Sequence, residues 1–184
     1  MPRHADPALE QRILKAARKL WKRGGEHALT MRAVAKEART TTPTVYERFR
    51  SRKQMLQALC LDTRQKLFAT LKGAKSVREA CELYLEFAAN HRHEYELLSA
   101  GWSKPPSVQE QWPSFNLFKE WLAIRYGGKP EDYTRFALSV WQLLHGTAML
   151  MVTGSTGQDL QVQMRIACLE AIEALGTTLE RADN

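Results

Sequence analysis

The sequence predicts an all-α protein, in which a small N-terminal helical head is joined by a long fourth helix to a larger helical body. Three observations carry this prediction. Apolar residues recur at three- and four-residue spacing almost throughout, and no sustained alternation or Asn-Gly hairpin marks a strand. Capping residues followed three positions later by an acid or amide punctuate the chain, and glycine pairs or prolines close the segments between them. Charge is divided unevenly. Residues 1–56 hold 14 Lys/Arg against 5 Asp/Glu and residues 57–184 hold 13 against 15, so the whole excess of +7 lies in the first third.

Asp6 and Pro7 open the first helix, a carboxylate that can cap free amides followed by a proline tolerated in the first turn. Ile13, Ala16, Ala17, Leu20 and Trp21 make its apolar face; Arg12, Lys15, Arg18, Lys19, Lys22 and Arg23 occupy the remainder, with Arg12, Arg18 and Lys22 read as solvated surface rather than contacts, and Gly24-Gly25 stop it. Thr30 caps a short second helix with Met31, Val34, Ala35 and Ala38 inward. After a tight turn near Arg39, Thr41 or Thr42 caps a third helix, with Pro43 in its first turn and Val45 and Phe49 buried. Ser51-x-x-Gln54 is a capping box for the long fourth helix along Leu56, Leu59, Thr63, Leu67 and Leu71.

Gly73 to Lys75 breaks the pattern, and Ser76-x-x-Glu79 opens a helix carrying Val77, Ala80, Cys81, Tyr84 and Ala88 on one side. A shorter helix covers Glu94 to Gly101, and Ser103 to Ser107 reads as a loop. Pro113 begins a helix ending at Gly127-Gly128. Pro130, Glu131 and Asp132 start a long one with Tyr133, Phe136, Ala137, Val140, Leu144, Ala148 and Met151, interrupted at Gly154 to Gly157. The last helix runs on Leu160, Met164, Ala167, Cys168, Ala171, Ile172, Leu175 and Leu179.

Several function classes drop out. The longest unbroken apolar run, Ala148 to Val152, is far short of the ~20 residues that span a bilayer. No leader-like stretch follows Met1, so a cytoplasmic protein with no membrane partner is expected. Cys60, Cys81 and Cys168 are widely separated and make no C-x-x-C pair, which argues against disulfides and zinc clusters. His91 and His93, two apart, point to different helix faces, so no metal site is expected. Gly154-Ser155-Thr156-Gly157 reads as a turn. No P-loop, dinucleotide fingerprint or nucleophile elbow is present, so neither a cofactor nor catalysis is expected.

Two short helices joined by a tight turn inside the basic third have the layout of a helix-turn-helix, whose second helix enters the major groove. The candidate recognition segment, Thr41 to Phe49, reads TTPTVYERF, and its short hydroxyls at a helix start suit phosphate and base-edge contacts. Arg52 and Lys53, opening the fourth helix, are placed to grip one more phosphate.

At these residues the chain resembles the tetracycline-repressor (TetR) family of transcription regulators. The matching string is I-L-x-A-A-x-x-L at Ile13 to Leu20, Gly24 or Gly25, T-x-x-x-V-A at Thr30 to Ala35, P-T-V-Y-x-x-F at Pro43 to Phe49, and Ser51-Arg52 with the leucines that follow. The resemblance implies a three-helix DNA-binding head (residues 1–55) and an effector-binding and dimerising body (residues 56–184). By position, Thr30, Thr41, Thr42, Pro43, Thr44, Tyr46, Arg48, Arg52 and Lys53 are the DNA-binding candidates, Tyr46 foremost. The chain departs from the family at Arg39, where glycine is usual in the turn, and at Thr40, where an apolar residue is usual. A positive backbone angle at Arg39 costs on the order of 1 kcal/mol.

Trp141, His145 and Gly146 on a long helix also look like one subgroup of the family's C-terminal domains. Tyr95, Trp102, Phe118, Trp121, Trp141, His145 and Met149 either line a cavity for a small apolar or aromatic effector or form ordinary core. Gly146 inside a helix suggests close approach of a neighbouring helix. The last two helices, with Ala167, Ala171, Ala174 and Gly176, suit a four-helix interface about a two-fold axis. The leading expectation is a homodimeric repressor that binds a pseudo-palindromic operator in double-stranded DNA and is released by an effector. The alternative is a small-molecule binding protein with a degenerate DNA-binding head; an enzyme using one of the cysteines ranks third.

Overall fold

A computed structural model describes residues 7–100, 113–154 and 157–182, with side chains to residue 177. Asp6, Gly101, Trp102, the Ser103 to Ser107 loop, Ser155, Thr156 and the Leu179 side chain lie outside the described residues. The helices are α1 (Pro7–Ala28), α2 (Met31–Glu37), α3 (Thr42–Arg48), α4 (Arg52–Lys72), α5 (Val77–Asn90), α6 (Arg92–Ser99), α7 (Pro113–Tyr126), α8 (Thr134–Thr153) and α9 (Gln158–Ala182). A 3-10 turn, Pro130–Tyr133, precedes α8. Among the described residues there is no strand.

The chain divides into two compact units, Met1–Arg64 with His93–Lys104, and Gln65–Arg92 with Pro105–Asn184. In the first unit the 3.6-residue period of α1 lays Ile13, Ala16, Ala17 and Trp21 on one buried stripe. Met31, Val34 and Ala35 of α2, Val45 and Phe49, and Met55, Leu56, Leu59 and Cys60 of α4 close over it, and Leu97 of α6 completes the cluster. Truncating a fully enclosed member such as Ile13 or Leu56 to alanine would cost about 2–5 kcal/mol.

The expected helix signals account for the boundaries of this unit. Gly24 (φ −160°) and Gly25 (φ +54°, ψ −136°) leave helical geometry, and only a short helical turn follows them to Ala28. Thr30 Oγ1 accepts the Ala33 amide at 3.1 Å and Thr41 Oγ1 accepts the Thr44 amide at 3.3 Å. Ser51 Oγ accepts the Gln54 amide at 3.1 Å, while the Gln54 side chain reaches one residue further back, to the Arg50 amide at 2.7 Å. Between α2 and α3, Thr40 N–H donates to Ala35 O (2.9 Å) and Arg39 N–H donates to Lys36 O (3.2 Å). These two bonds are a Schellman motif, with Arg39 (φ +51°) in the left-handed position that glycine favours. The turn therefore forms in full despite the departure at Arg39.

In the second unit Ala80, Cys81, Leu85, Phe87 and Ala88 of α5 pack with Ala137, Val140, Leu144, Ala148 and Met151 of α8, and with Cys168 and Ile172 of α9. Ser76 Oγ caps α5 through the Glu79 amide (3.1 Å), and Glu79 Oε2 accepts the Lys75 amide (2.7 Å). The long helix expected from Pro130 begins instead with the 3-10 turn, where Asp132 Oδ2 accepts the Lys129 amide at 2.8 Å and Tyr133 Oη donates to Gly127 O at 2.8 Å. Among the described residues no neighbouring atom lies within 4 Å of a Cβ built at Gly146, so the close helix approach expected there does not occur among them. Among the described residues Pro130–Thr153 is the one helical segment long and apolar enough to cross a bilayer, and its buried stripe belongs to this core.

Candidate functional site

The α2–turn–α3 pair presents its hydroxyls at one end of α3. Thr41 and Pro43 are exposed and Thr42 and Thr44 half-buried, and the Thr41 and Thr44 hydroxyl oxygens are 2.8 Å apart. Capping thus fixes the rotamers of two of these threonines. Val45 and Phe49 anchor α3 from below, which leaves Tyr46, 48% exposed, standing out from the helix. An exposed tyrosine on a short helix held by two buried neighbours is a rigid arm with a hydroxyl at its tip. Thr30 is exposed at the start of α2, and Lys53 is exposed beside α3 in sequence. Arg48 is half-buried, and its buried Nε has no hydrogen-bond partner among the described residues.

Arg52 is placed differently. Its Nε donates to Leu29 O at 2.8 Å, Nη2 donates to Glu26 O at 2.7 Å, and Nη1 pairs with Glu26 Oε1 at 2.9 Å. The guanidinium therefore ties the start of α4 to the last turn of α1 and to Leu29 just beyond it, and three of its five donors are used.

The basic face of α1 is also largely matched from within. Arg12 Nε donates to Ala38 O (3.2 Å), Arg18 pairs with Asp62, Lys19 and Arg23 pair with Glu37, and Lys22 lies 3.4 Å from the buried Glu94. The hydrogen bond from Lys19 holds the Glu37 carboxyl below its ordinary range. Arg32, Lys36, Arg39, Arg50 and Lys53, outside α1, are all exposed. Charge counting along the sequence could not separate these two sets, because the partners come from α2, α4 and α6.

The candidate effector residues fall in several places. Tyr95 is fully buried within the first unit. In the second unit Trp141 and His145 stack with ring centroids 5.1 Å apart, and burial pulls the His145 imidazole below its ordinary value. Phe118 stacks on Phe136 at 6.5 Å, and Met149 is half-buried on α8. Of the described candidates only Trp121 lines the large cleft of this unit, about 820 Å³, built from the α4–α5 turn, the end of α7, the start of α8 and the end of α9. Sequence reading missed its other walls, among them Lys75, Arg125, Phe136 and Ile172, because they lie up to a hundred positions apart. Cys81 also lines this cleft; burial, with a smaller push from Cys168, raises its thiol to about 12. Among the described residues no group of three metal-ligating side chains converges.

Comparison with known proteins gives two family matches. Residues 13–59 match the bacterial regulatory proteins of the tetR family, and residues 77–172 match the tetracyclin repressor-like C-terminal domain. No curated protein sequence matches. Among solved structures, the regulatory protein SCO4313 is 18% identical with a TM-score of 0.73, covering 90% of this chain and 95% of its own. A variant of TetR from Acinetobacter baumannii AYE, in complex with minocycline, is 16% identical with a TM-score of 0.69 and coverage of 98% and 99%. The multidrug binding protein EbrR complexed with malachite green is 20% identical with a TM-score of 0.63 and coverage of 92% and 98%.

Proposed function

Since the chain belongs to the TetR family of DNA-binding transcriptional regulators, we propose that it is a cytoplasmic homodimeric repressor, released from a pseudo-palindromic operator by a small-molecule effector. In this reading residues 1–55 are the DNA-binding domain and residues 56–184 the effector-binding and dimerisation domain, with no catalytic role. The observation that carries it is α3: a short helix pinned by buried Val45 and Phe49, with hydroxyls at its start and Tyr46 standing 48% exposed above them. A helix so presented fits the major groove by its N-terminal end. Thr30, Thr41, Thr42, Pro43, Thr44, Tyr46, Arg48 and Lys53 are the contact residues we assign. Arg52 acts with them by holding the head in register.

Exposed apolar residues on the last two helices, Leu138 and Leu150 of α8 and Leu160, Val162 and Ile166 of α9, support a two-fold partner of the same chain. The similar structures with minocycline and malachite green bound support a small-molecule effector for the body. Its binding must favour the conformation with separated heads by about 1–3 kcal/mol to act as a release signal.

Selection from random duplexes by the purified protein tests the reading, and an enriched palindrome is the expected outcome. Tyr46→Phe, which removes only the hydroxyl, should then weaken binding to that palindrome. A library that emerges unenriched overturns the regulator reading in favour of a small-molecule binder with a degenerate head.

A further inference from the structure

We propose that Lys119 of α7 anchors a binding site in the second unit for an aromatic carboxylate, its ammonium meeting the carboxylate while the Phe115 ring faces the carbon skeleton. Among the described residues two charged side chains are buried, Glu94 at 4% exposure and Lys119 at 9%. The chain treats them differently. Glu94 lies 3.4 Å from Lys22, so its charge is answered from within. Lys119 has neither an ion pair nor a hydrogen bond among the described residues; what it has is the Phe115 ring, whose centroid is 5.6 Å from Nζ.

Taking an ammonium out of water is costly unless a counter-charge and acceptors for its three N–H donors replace the water. A ring face attracts the charge but does not fill those donor positions, and 5.6 Å is near the outer limit of such contacts. Nor does Lys119 sit at a helix end where burial is incidental. Phe115, Lys119 and Leu122 stand four and three residues apart on one stripe of a 14-residue helix, and Leu122 is enclosed at 1% exposure. Methionine or leucine at position 119 would suit both the helix and that apolar stripe, without a charge to desolvate. A ring and an ammonium side by side are the complement of a flat acid. A cationic ligand would meet like charge there, a neutral one would leave the N–H donors unfilled, and an inorganic anion would leave the ring unused.

The site takes its regulatory meaning from the effector reading above, but its ligand class can be tested without DNA. The probes are 1-naphthoate and 1-naphthalenemethanol, the same ring system without the charge, titrated calorimetrically near neutral pH, where the acid is ionised and lysine protonated. Wild-type protein should bind the acid roughly tenfold more tightly than the alcohol. Lys119→Met keeps the length of the stem and removes the charge. It should weaken the acid by about the same tenfold, leave the alcohol unchanged and, without ligand, melt at or above wild type. The proposal is overturned if wild type binds the two probes alike, or if sulfate at equal ionic strength displaces the acid. It is overturned equally if Lys119→Met weakens both probes or neither, or if that variant melts well below wild type, as loss of a structural partner would require. A protein that shows the expected pattern yet selects no DNA sequence keeps this site and loses the regulator reading; one that enriches a palindrome and binds both probes alike does the reverse.

Discussion

Replacing Arg52 by methionine removes two bonds to backbone carbonyls, Leu29 O at 2.8 Å and Glu26 O at 2.7 Å, and a pair with Glu26. Each carbonyl bond is worth about 1 kcal/mol net. The Glu26 pair is 35% and 54% exposed, so it adds at most about 1 kcal/mol. The expected loss is therefore about 2–3 kcal/mol, which for a chain of this length lowers the melting temperature by about 4–12 °C. Arg52→Lys discriminates between roles, because it keeps the charge but loses the fork that reaches both carbonyls. If Arg52 acts chiefly as a tie, lysine should recover little of the lost stability, and the salt dependence of operator binding should keep its slope in both variants. A phosphate contact would instead flatten the log–log slope by about 0.9 in Arg52→Met. The clamp argument is refuted if Arg52→Met melts with wild type and the slope falls by that amount.

Gly25→Ala should destabilise the protein by about 1–3 kcal/mol in a urea melt, because φ +54° with ψ −136° is open essentially to glycine alone and the new Cβ would sit 3.3 Å from His93 Nδ1; an unchanged midpoint would contradict this. Gly146→Ala should stabilise by about 1 kcal/mol, since the site is helical and its Cβ space is open; a loss instead would mean that a second molecule packs there. Burial holds the His145 imidazole below its ordinary 6.5, so the folded state protonates later than the unfolded chain as pH falls. Its contribution is complete above about 6.5 and is lost as pH drops through the folded value; His145→Gln should flatten stability against pH in that window, and parallel curves would refute the assignment. Cys81, at about 12, holds only ~10⁻⁴ of its thiol as thiolate at pH 8, so a maleimide should label it in urea and not in the native protein.

How far the sequence could be read depended on how local the physics was. Thr30, Thr41, Ser51 and Ser76 each cap through an amide three residues on, a distance fixed by helix geometry, so the caps were legible. The stripe Leu56, Leu59, Thr63, Leu67 and Leu71 was legible too, because periodicity alone assigns its buried face. Arg52 was not, since its acceptors lie 23 and 26 residues away and two of them are carbonyls that no side-chain pattern reveals. Arg12, Arg18 and Lys22 read as solvated surface for the same reason. Their partners, the Ala38 carbonyl, Asp62 and Glu94, arrive only when α2, α4 and α6 are in place. The cleft was missed because it gathers short pieces of four segments, each ordinary by itself.

The first unit is not a continuous piece of chain. The indole of Trp21 donates to the carbonyl of His93, and Leu97 is enclosed in the same core as Ile13 and Val34. Anyone grafting residues 1–64 onto a foreign scaffold, to borrow the reading head alone, would leave that indole nitrogen without its acceptor and open a gap where Leu97 had been. A transplant that carries a short stand-in for α6 would keep the graft intact, which makes α6 as much a part of the module as the helices that precede it.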